Sequence, residues 1–267
     1  MTDHPSPLRT HVAVVTDADQ RGGAEVNLSR VLAAMPPSIE VTLVGPDARV
    51  LDWLAGHRPG TRTEVLPAVR DRTGLRGMRA HRRLFVRLRP DIVQFNLSTA
   101  SSCQWAIAVA CTVPGLRCIA VENSPMAVWS ATSGRLKRLT ARRLAGHVAV
   151  GERTARLIEA TSGLPTGSIG TLYHGLPDVR HEPTARPDGP TMVTVARHDP
   201  VKGVDVLLEA AALTSPDVHF VVIGDGPESE RLHALAARLG LDDRVEFRVM
   251  RWDEPASDVM WAFDALV

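Results

Sequence analysis

The sequence has few aromatic residues and almost no net charge, and each shortage excludes a class of protein. Its 267 residues include five Trp, five Phe and one Tyr, too few for a base-stacking groove or an aromatic sugar platform. The 31 basic and 30 acidic residues nearly balance, which argues against a bulk nucleic-acid binder. No apolar run is long enough to span a bilayer, and no signal peptide is visible. The sequence therefore predicts a cytoplasmic protein.

Cysteine is also scarce. Cys103, Cys111 and Cys118 are odd in number and their spacing matches no zinc or redox motif, so reduced thiols in a cytosolic protein are expected. The ten histidines include no metal-binding pair such as H-E-x-x-H, so no metal is predicted.

The charges that are present are divided unevenly along the chain. Residues 1–190 carry a net charge of +8, whereas residues 191–267 carry −7. The segment HGLPDVRHEPTARPDGP, with four prolines, ends the first of these ranges and has the composition of a linker. We therefore predict a first domain over 1–175, a linker over 176–190 and a partial second domain over 191–267.

Apolar, β-branched runs of strand length alternate with helix-length segments in both domains. The runs are HVAVVT, IEVTLVG, DIVQFN, LRCIAV and HVAVG in the first domain, and TMVTVAR, HFVVIG and RVEFRV in the second. Such runs between helices are typical of parallel strands covered on both faces, so the pattern predicts two doubly wound α/β units. The final run, FDALV, predicts a buried strand with nothing after it to cover it, so we expect the second unit to be incomplete.

Three turns between a strand and a helix are candidates for binding an anion. Gly22 and Gly23 follow the first strand, where paired glycines let a phosphate approach a helix N-terminus. Arg197 and Lys202 flank the turn in RHDPVKG, and Lys202 is one of only two lysines among the 31 basic residues. Gly224, in GDGP, either lines a nucleotide crevice or forms a tight turn. Each of the first two turns also has a purely structural explanation. The glycines of the first would serve only to form the turn, and the cations of the second would be ordinary solvated surface charges.

The chain resembles the retaining glycosyltransferases of family 4, and the resemblance covers nearly its whole length. The motifs that carry it, in order, are GGAE, VAVGERTARLIEATSGLP, LYHGLPD, VARHDPVKGVDVLLEAA, VVIGDGPESERL and LGLDDRVEF. The resemblance implies a GT-B fold of two facing Rossmann-like domains. It also implies transfer of a sugar from a nucleotide-diphosphate donor to a hydroxyl acceptor with retained configuration and without a metal.

The resemblance implies roles for particular residues. Arg197 and Lys202 would clamp the donor diphosphate and stabilise it as it departs. Gly22 and Gly23 would face the same phosphates and the acceptor. Asn123, or less favourably its neighbour Glu122, stands where the family tends to place a histidine. An amide at this place can hydrogen-bond a sugar hydroxyl but cannot carry a proton.

The same resemblance implies where the nucleotide lies. The base and ribose would contact Gly224 and the loop from Met250 through Arg251 to Trp252. The family also carries two glutamates separated by seven residues beyond the strand that ends this chain, and this sequence does not contain them.

Two other functions compete with sugar transfer. One is a catalytically inactive remnant that binds a nucleotide, a membrane or a partner, which the missing acidic pair favours. A dinucleotide-dependent oxidoreductase is disfavoured because no G-x-G-x-x-G follows the first strand.

The stretch from Arg70 to Arg89 contains eight arginines interleaved with apolar residues. This pattern predicts an amphipathic helix whose basic face is either simply solvated or adsorbs to anionic lipid headgroups. RNA binding is a weaker use of the same charge, because aromatic residues are few. Adsorption to lipid headgroups would make the protein peripheral to the inner face of a membrane, where its acceptor could be lipid-linked.

Overall fold

The computed structural model describes residues 10–125, 130–175, 189–251, 259–260 and 262–267. The chain divides into two compact units, Met1–Leu176 and Pro177–Val267. Most of the predicted linker, residues 176–188, lies outside the described residues, as does Trp252.

The first unit is built on a seven-stranded sheet in which every pairing is parallel. The strand order is β3-β2-β1-β4-β5-β6-β7, so the winding direction reverses between β1 and β4. The strands are β1 (Thr10–Thr16), β2 (Ile39–Gly45), β3 (Arg62–Val65), β4 (Ile92–Leu97), β5 (Arg117–Glu122), β6 (Gly146–Ala149) and β7 (Gly170–Thr171).

Helices cover both faces of this sheet because side chains alternate along each buried strand. Val12 and Val14 of β1 belong to one apolar cluster, with residues of the first two helices, while Ala13 and Val15 belong to another, with residues of the next two. The helices are α1 (Gly23–Ala34), α2 (Ala48–Gly56), α3 (Leu75–Leu88), α4 (Gln104–Ala110), α5 (Ala131–Ala141) and α6 (Glu152–Ser162).

Local sequence explains several helix ends. The Asp47 carboxylate accepts from two backbone N–H groups at the start of α2, and the Ser130 hydroxyl accepts from one in α5. Gly163 ends α6 in the left-handed conformation, with φ of +64°.

The second unit repeats the same plan on a four-stranded parallel sheet of order β10-β9-β8-β11. Its strands are β8 (Thr191–Val195), β9 (His219–Ile223), β10 (Val245–Arg248) and β11 (Ala265–Leu266). A 3-10 turn (Pro200–Lys202) precedes α7 (Val204–Ala211), and α8 (Ser229–Arg238) follows β9. The order reverses between β8 and β11, where an open α/β sheet forms its ligand crevice.

The predicted class, two doubly wound parallel α/β units, is confirmed. The alternation did not identify β3 and β7, which are short and contain mostly exposed residues. The final strand forms as predicted but is not buried, since Leu266 and Val267 are more than half exposed. Only β8 pairs with it among the described strands. Within the described ranges, no helix has the length and apolar character needed to cross a bilayer.

Candidate functional site

The turn between β1 and α1 places the two predicted glycines at the carboxyl edge of the first sheet. Gly22 is the N-cap residue of α1 and Gly23 is its first residue. The N–H of Gly22 donates to Glu25 Oε2 at 3.2 Å, and a Cβ on Gly22 would press against that same oxygen. A Cβ on Gly23 would meet nothing within 4 Å. The fold therefore restricts position 22, whereas position 23 borders open space at a helix N-terminus.

A buried polar network links this turn to Asn123. The Asn123 amide donates to Asn96 Oδ1 at 3.0 Å, and the Asn96 amide donates to Glu25 Oε1 at 3.4 Å. The Thr16 hydroxyl donates to the same Glu25 oxygen at 3.3 Å. Glu25 is almost fully buried, and desolvation raises the pKa of its carboxyl despite the hydrogen bonds it accepts. The network joins the ends of β1, β4 and β5, on both sides of the position where the strand order reverses.

Glu122 lies next to Asn123 but in a different environment. Its carboxylate is fully buried and pairs with the Lys137 ammonium, whose side chain is only 2% exposed. His147 Nε2 lies 2.7 Å from the same oxygen, Glu122 Oε1. Glu122 is thus engaged inside the protein, while Asn123 is partly exposed at the carboxyl end of β5.

The loop after β8 carries the two predicted cations of the second unit. Arg197 is 54% exposed, and its Nε lies 2.9 Å from Asp199 Oδ2. Lys202 is exposed and ends the 3-10 turn directly before α7. No ion-pair partner for Lys202 occurs among the residues that the structure describes. Gly203, with φ of +66°, is the N-cap residue of α7. The structure therefore puts two cations beside a helix N-terminus at the β8–β11 crevice.

The turn after β9 locks this loop in place. The N–H of His198 donates to the Asp225 carbonyl at 3.0 Å, and the N–H of Glu228 donates to the His198 carbonyl at 3.1 Å. A Cβ on Gly224 would lie 1.9 Å from the Ala196 carbonyl oxygen. Backbone packing therefore requires glycine at position 224, whose proposed contact with the nucleotide stays a prediction.

His198 anchors the same loop from inside. The residue is 1% exposed, and its Nδ1 lies 2.8 Å from Ser229 Oγ. Burial lowers the pKa of the imidazole, although the Asp225 carboxylate opposes that shift. Asp225 Oδ1 in turn accepts from the Ser229 hydroxyl and the Gly226 N–H, both at 2.7 Å. A neutral histidine thus holds the loop between Arg197 and Lys202.

The remaining predicted residues of this unit, Met250 and Arg251, follow β10. Met250 packs against an apolar cluster that includes Val193 and Ile223, while Arg251 is exposed. In the described ranges, no group of three or more His, Cys, Asp or Glu side chains is arranged to hold a metal ion.

The arginine-rich segment forms α3 and its flanks, as predicted, and all eight arginines are exposed. Arg70 and Arg87 have carboxylate partners, Asp19 at 3.7 Å and Glu64 at 2.5 Å. No carboxylate in the described part of the chain pairs with Arg79, Arg82 or Arg83. Leu75 and Val86, 54% and 42% exposed, are on the same outward side of the helix.

The sequence interpretation missed several residues that the structure brings together. The sequence analysis included Glu25 only as part of the GGAE motif and Asn96 only as part of a strand, and it assigned neither residue a role. One feature of the sequence could have drawn attention to Lys137, because it is the other of the two lysines in an arginine-rich chain. The functional roles of Gly22, Gly23, Asn123, Arg197 and Lys202 stay predictions.

Comparison with known proteins adds a family to the second unit. Residues 177–265 match the family described as glycosyl transferases group 1. The match includes the loop of Arg197 and Lys202 and the turn at Gly224.

Two relatives share parts of the sequence. A lipopolysaccharide core biosynthesis glycosyltransferase of Rhizobium meliloti is 35% identical over 80 residues, which is 30% of this chain and 23% of the relative. An exopolysaccharide phosphotransferase of Streptomyces coelicolor is 32% identical over 102 residues, 37% of this chain and 11% of that protein. The matched part of the chain thus spans less than a quarter of either relative.

A solved structure is similar over a much longer range. The crystal structure of Anabaena HepE in complex with UDP and glucose matches with a TM-score of 0.76 at 18% identity, over 96% of this chain and 73% of that one. A likeness at this identity shows the fold alone, and it confirms the predicted GT-B type.

Proposed function

We propose that this chain belongs to a glycosyltransferase that moves a sugar from a nucleotide-diphosphate donor to a hydroxyl acceptor with retained configuration. The observation that carries the proposal is the loop from Arg197 to Gly203, which lies within the segment matching glycosyl transferases group 1. Its two exposed cations and the N-terminus of α7 stand at the carboxyl edge of β8, where an open α/β sheet binds ligands.

Charge explains what this loop would do during the reaction. When the bond from the anomeric carbon to the donor phosphate breaks, negative charge accumulates on the departing diphosphate. Arg197 offers a planar fork of donors and Lys202 a compact ammonium, and both stabilise that charge more than they stabilise the bound donor. The helix dipole of α7 adds a partial positive charge in the same place.

The first unit would serve the acceptor and the transferred sugar. Asn123 is partly exposed, and its Oδ1 has no hydrogen-bond partner among the described residues, so this oxygen would accept from a sugar hydroxyl once the side chain turns toward the acceptor. The side chain of Asn123 cannot act as a base. We therefore propose a front-face reaction in which the leaving phosphate oxygen takes the acceptor proton, so that retention needs no protein nucleophile.

UDP is the first donor nucleotide to test, because the similar Anabaena HepE structure contains UDP and glucose. Isothermal titration with UDP and GDP should show binding by the wild-type chain, with UDP the tighter ligand. Each lost charge-assisted contact costs about 1.5–3 kcal/mol, so Lys202→Ala should weaken binding by about 10- to 150-fold. Arg197→Ala should do the same, and the double variant should abolish measurable binding.

Arg238→Ala is the matched control, since it removes an exposed arginine from α8 of the same unit. Its affinity for UDP should equal that of the wild type. If all three single variants bind UDP equally, the donor site does not lie at this loop. A chain that binds UDP but transfers no sugar from UDP-glucose to any acceptor would support the inactive-remnant hypothesis instead.

We further propose that α3 adsorbs to anionic lipid through Arg79, Arg82 and Arg83, with Leu75 and Val86 entering the interface. Each basic residue near such a surface contributes about 1 kcal/mol, so replacing all three by Gln should reduce partitioning about a hundredfold. Sedimentation with phosphatidylglycerol vesicles measures this effect, and phosphatidylcholine vesicles and high salt should abolish binding. Equal sedimentation of the variant and the wild type would contradict the proposal.

A further inference from the structure

His198 is the buried residue of the loop that carries the two exposed cations. Arg197 directly precedes it, and Lys202 ends the 3-10 turn that follows. Both cations are exposed, whereas the His198 side chain is buried and lies edge-on to Phe247 of β10, with the ring centroids 6.1 Å apart. The loop is therefore anchored from inside by a side chain that separates its two cations.

The hydrogen bonds of Ser229 determine which ring nitrogen of His198 carries the proton. The Ser229 hydroxyl has one proton, and it donates that proton to Asp225 Oδ1 at 2.7 Å, because a carboxylate can only accept. This bond lowers the pKa of the Asp225 carboxyl, which is therefore ionised near neutral pH. His198 Nδ1 lies 2.8 Å from the same Ser229 oxygen and must be the donor of that bond. The ring is thus the Nδ1–H tautomer.

The other ring nitrogen of His198 is buried without a partner. Nε2 makes no hydrogen bond to any residue that the structure describes. In the neutral ring it is an unpaired acceptor, whereas protonation would place a charged N–H in the same position with nothing to accept from it. An unpaired buried charge costs more than an unpaired neutral acceptor. The loop as it stands therefore accommodates the neutral ring and disfavours the imidazolium.

The charged groups around the ring do not remove this preference. Asp225 faces the ring from the turn after β9 and favours protonation, while His233 faces it from α8 and opposes protonation. The Glu228 carboxylate, at the N-cap of α8, pairs with Arg231. Burial has the largest influence, so the pKa of the His198 imidazole lies below its usual value.

We propose that His198 is the positioning residue of the donor site, and that the loop of Arg197 and Lys202 binds a nucleotide diphosphate while this ring is the neutral Nδ1–H tautomer. The inference rests on the proposed function, because it takes this loop as the diphosphate site. Protonation of Nε2 would draw the ring toward water, and the backbone that carries both cations would move with it. Donor affinity should therefore be complete above the usual histidine pKa of about 6.5 and be lost as the pH falls below it.

Calorimetric titration of the whole chain with UDP-glucose, from about pH 7.5 down to about pH 5, measures this effect. UDP-glucose is the probe because both of its phosphates are esterified and keep their charge, whereas a terminal phosphate titrates near pH ~6. The apparent dissociation constant rises as the neutral fraction of His198 falls, so we expect affinity to decrease about three- to thirtyfold. His233→Gln, which removes the neighbouring histidine, should keep this dependence on pH.

Two substitutions of His198 separate its hydrogen bond from its titration. His198→Asn retains an N–H donor close to the position of Nδ1 but cannot titrate, so its affinity should not depend on pH. His198→Leu retains the bulk without the donor, and it should weaken binding about tenfold even at pH ~7.5. Circular dichroism of each variant distinguishes a displaced loop from an unfolded chain. If the wild type and His198→Asn lose affinity equally as the pH falls, the proposal is wrong.

Long-range proton–nitrogen correlation spectra of the histidine rings identify the tautomer independently of binding. The signal that is absent from His198→Asn should be that of an Nδ1–H ring near neutral pH, and an Nε2–H ring would overturn the proposal. The two levels of the argument fail differently. Binding of UDP-glucose that does not change with pH contradicts only the role of His198, whereas no binding at any pH contradicts the proposed donor site and with it this inference.

Discussion

The buried pair of Glu122 and Lys137 should respond strongly and asymmetrically to mutation. Their side chains are 0% and 2% exposed, so Lys137→Met keeps the side-chain bulk but leaves a carboxylate in the protein interior with His147 as its remaining partner. Removing one member of a buried pair costs about 3–5 kcal/mol, a large part of the roughly 5–15 kcal/mol that stabilises a typical protein. For a unit of this size, that loss lowers the Tm by about 6–20 °C.

The double variant Glu122→Gln/Lys137→Met tests whether the uncompensated charge causes the loss of stability. It buries no charge of its own, so we expect its free energy of unfolding to lie within about 2 kcal/mol of the wild-type value. Arg135→Met, on the exposed side of the same helix, should change it by less than about 0.5 kcal/mol. Thermal unfolding followed by circular dichroism gives the Tm values, and hydrogen exchange at β5 shows whether the loss is local. If the single and double variants are equally destabilised, the reasoning fails.

Three further predictions concern Gly226, Gly23 and His81. In Gly226→Ala the new Cβ would lie 2.5 Å from the His198 carbonyl oxygen, so thermal unfolding should show that the free energy of unfolding falls by more than about 2 kcal/mol. The control is Gly56→Ala, whose Cβ meets nothing within 4 Å and which should lose no stability. Gly23→Ala should keep the wild-type Tm yet lower sugar transfer, because its methyl group would obstruct the phosphate, and unchanged transfer would contradict that role. Burial lowers the pKa of His81, so the stability that its neutral ring contributes should be lost as the pH falls below about 6.5. Urea midpoints of His81→Gln should therefore change less than those of the wild type between about pH 6.5 and 5.

Local patterns were sufficient to predict most of the strands and helices, though not the short, exposed β3 and β7, and to predict which turns lie at the carboxyl edge of each sheet. Apolar runs such as HVAVVT and HFVVIG identify buried strands because each residue of a doubly covered sheet contacts core. In a parallel α/β sheet every strand-to-helix turn lies at the carboxyl edge. The positions of Gly23, Arg197 and Lys202 at that edge therefore followed from their place in the sequence.

The contacts across the sheet could not be predicted in this way. Glu122 is 15 residues from Lys137 and 25 from His147, and no periodicity relates a strand residue to the helix that packs beside its end. The contact between Asn123 and Asn96 could not be predicted from the sequence either. Nor could the close approach of the Ala196 carbonyl, which requires glycine at position 224.

The sequence by itself therefore determined the alternating strands and helices, the unequal charge of the two halves and the loops that carry exposed cations. These features depend on residues close together in the chain, where hydrophobic periodicity and turn chemistry act. Only the tertiary structure decided which lysine is buried and which carboxylate joins Asn123 to the first helix. Those pairings are set by the order of strands in the sheet, because neighbouring strands bring together side chains that are far apart in the chain.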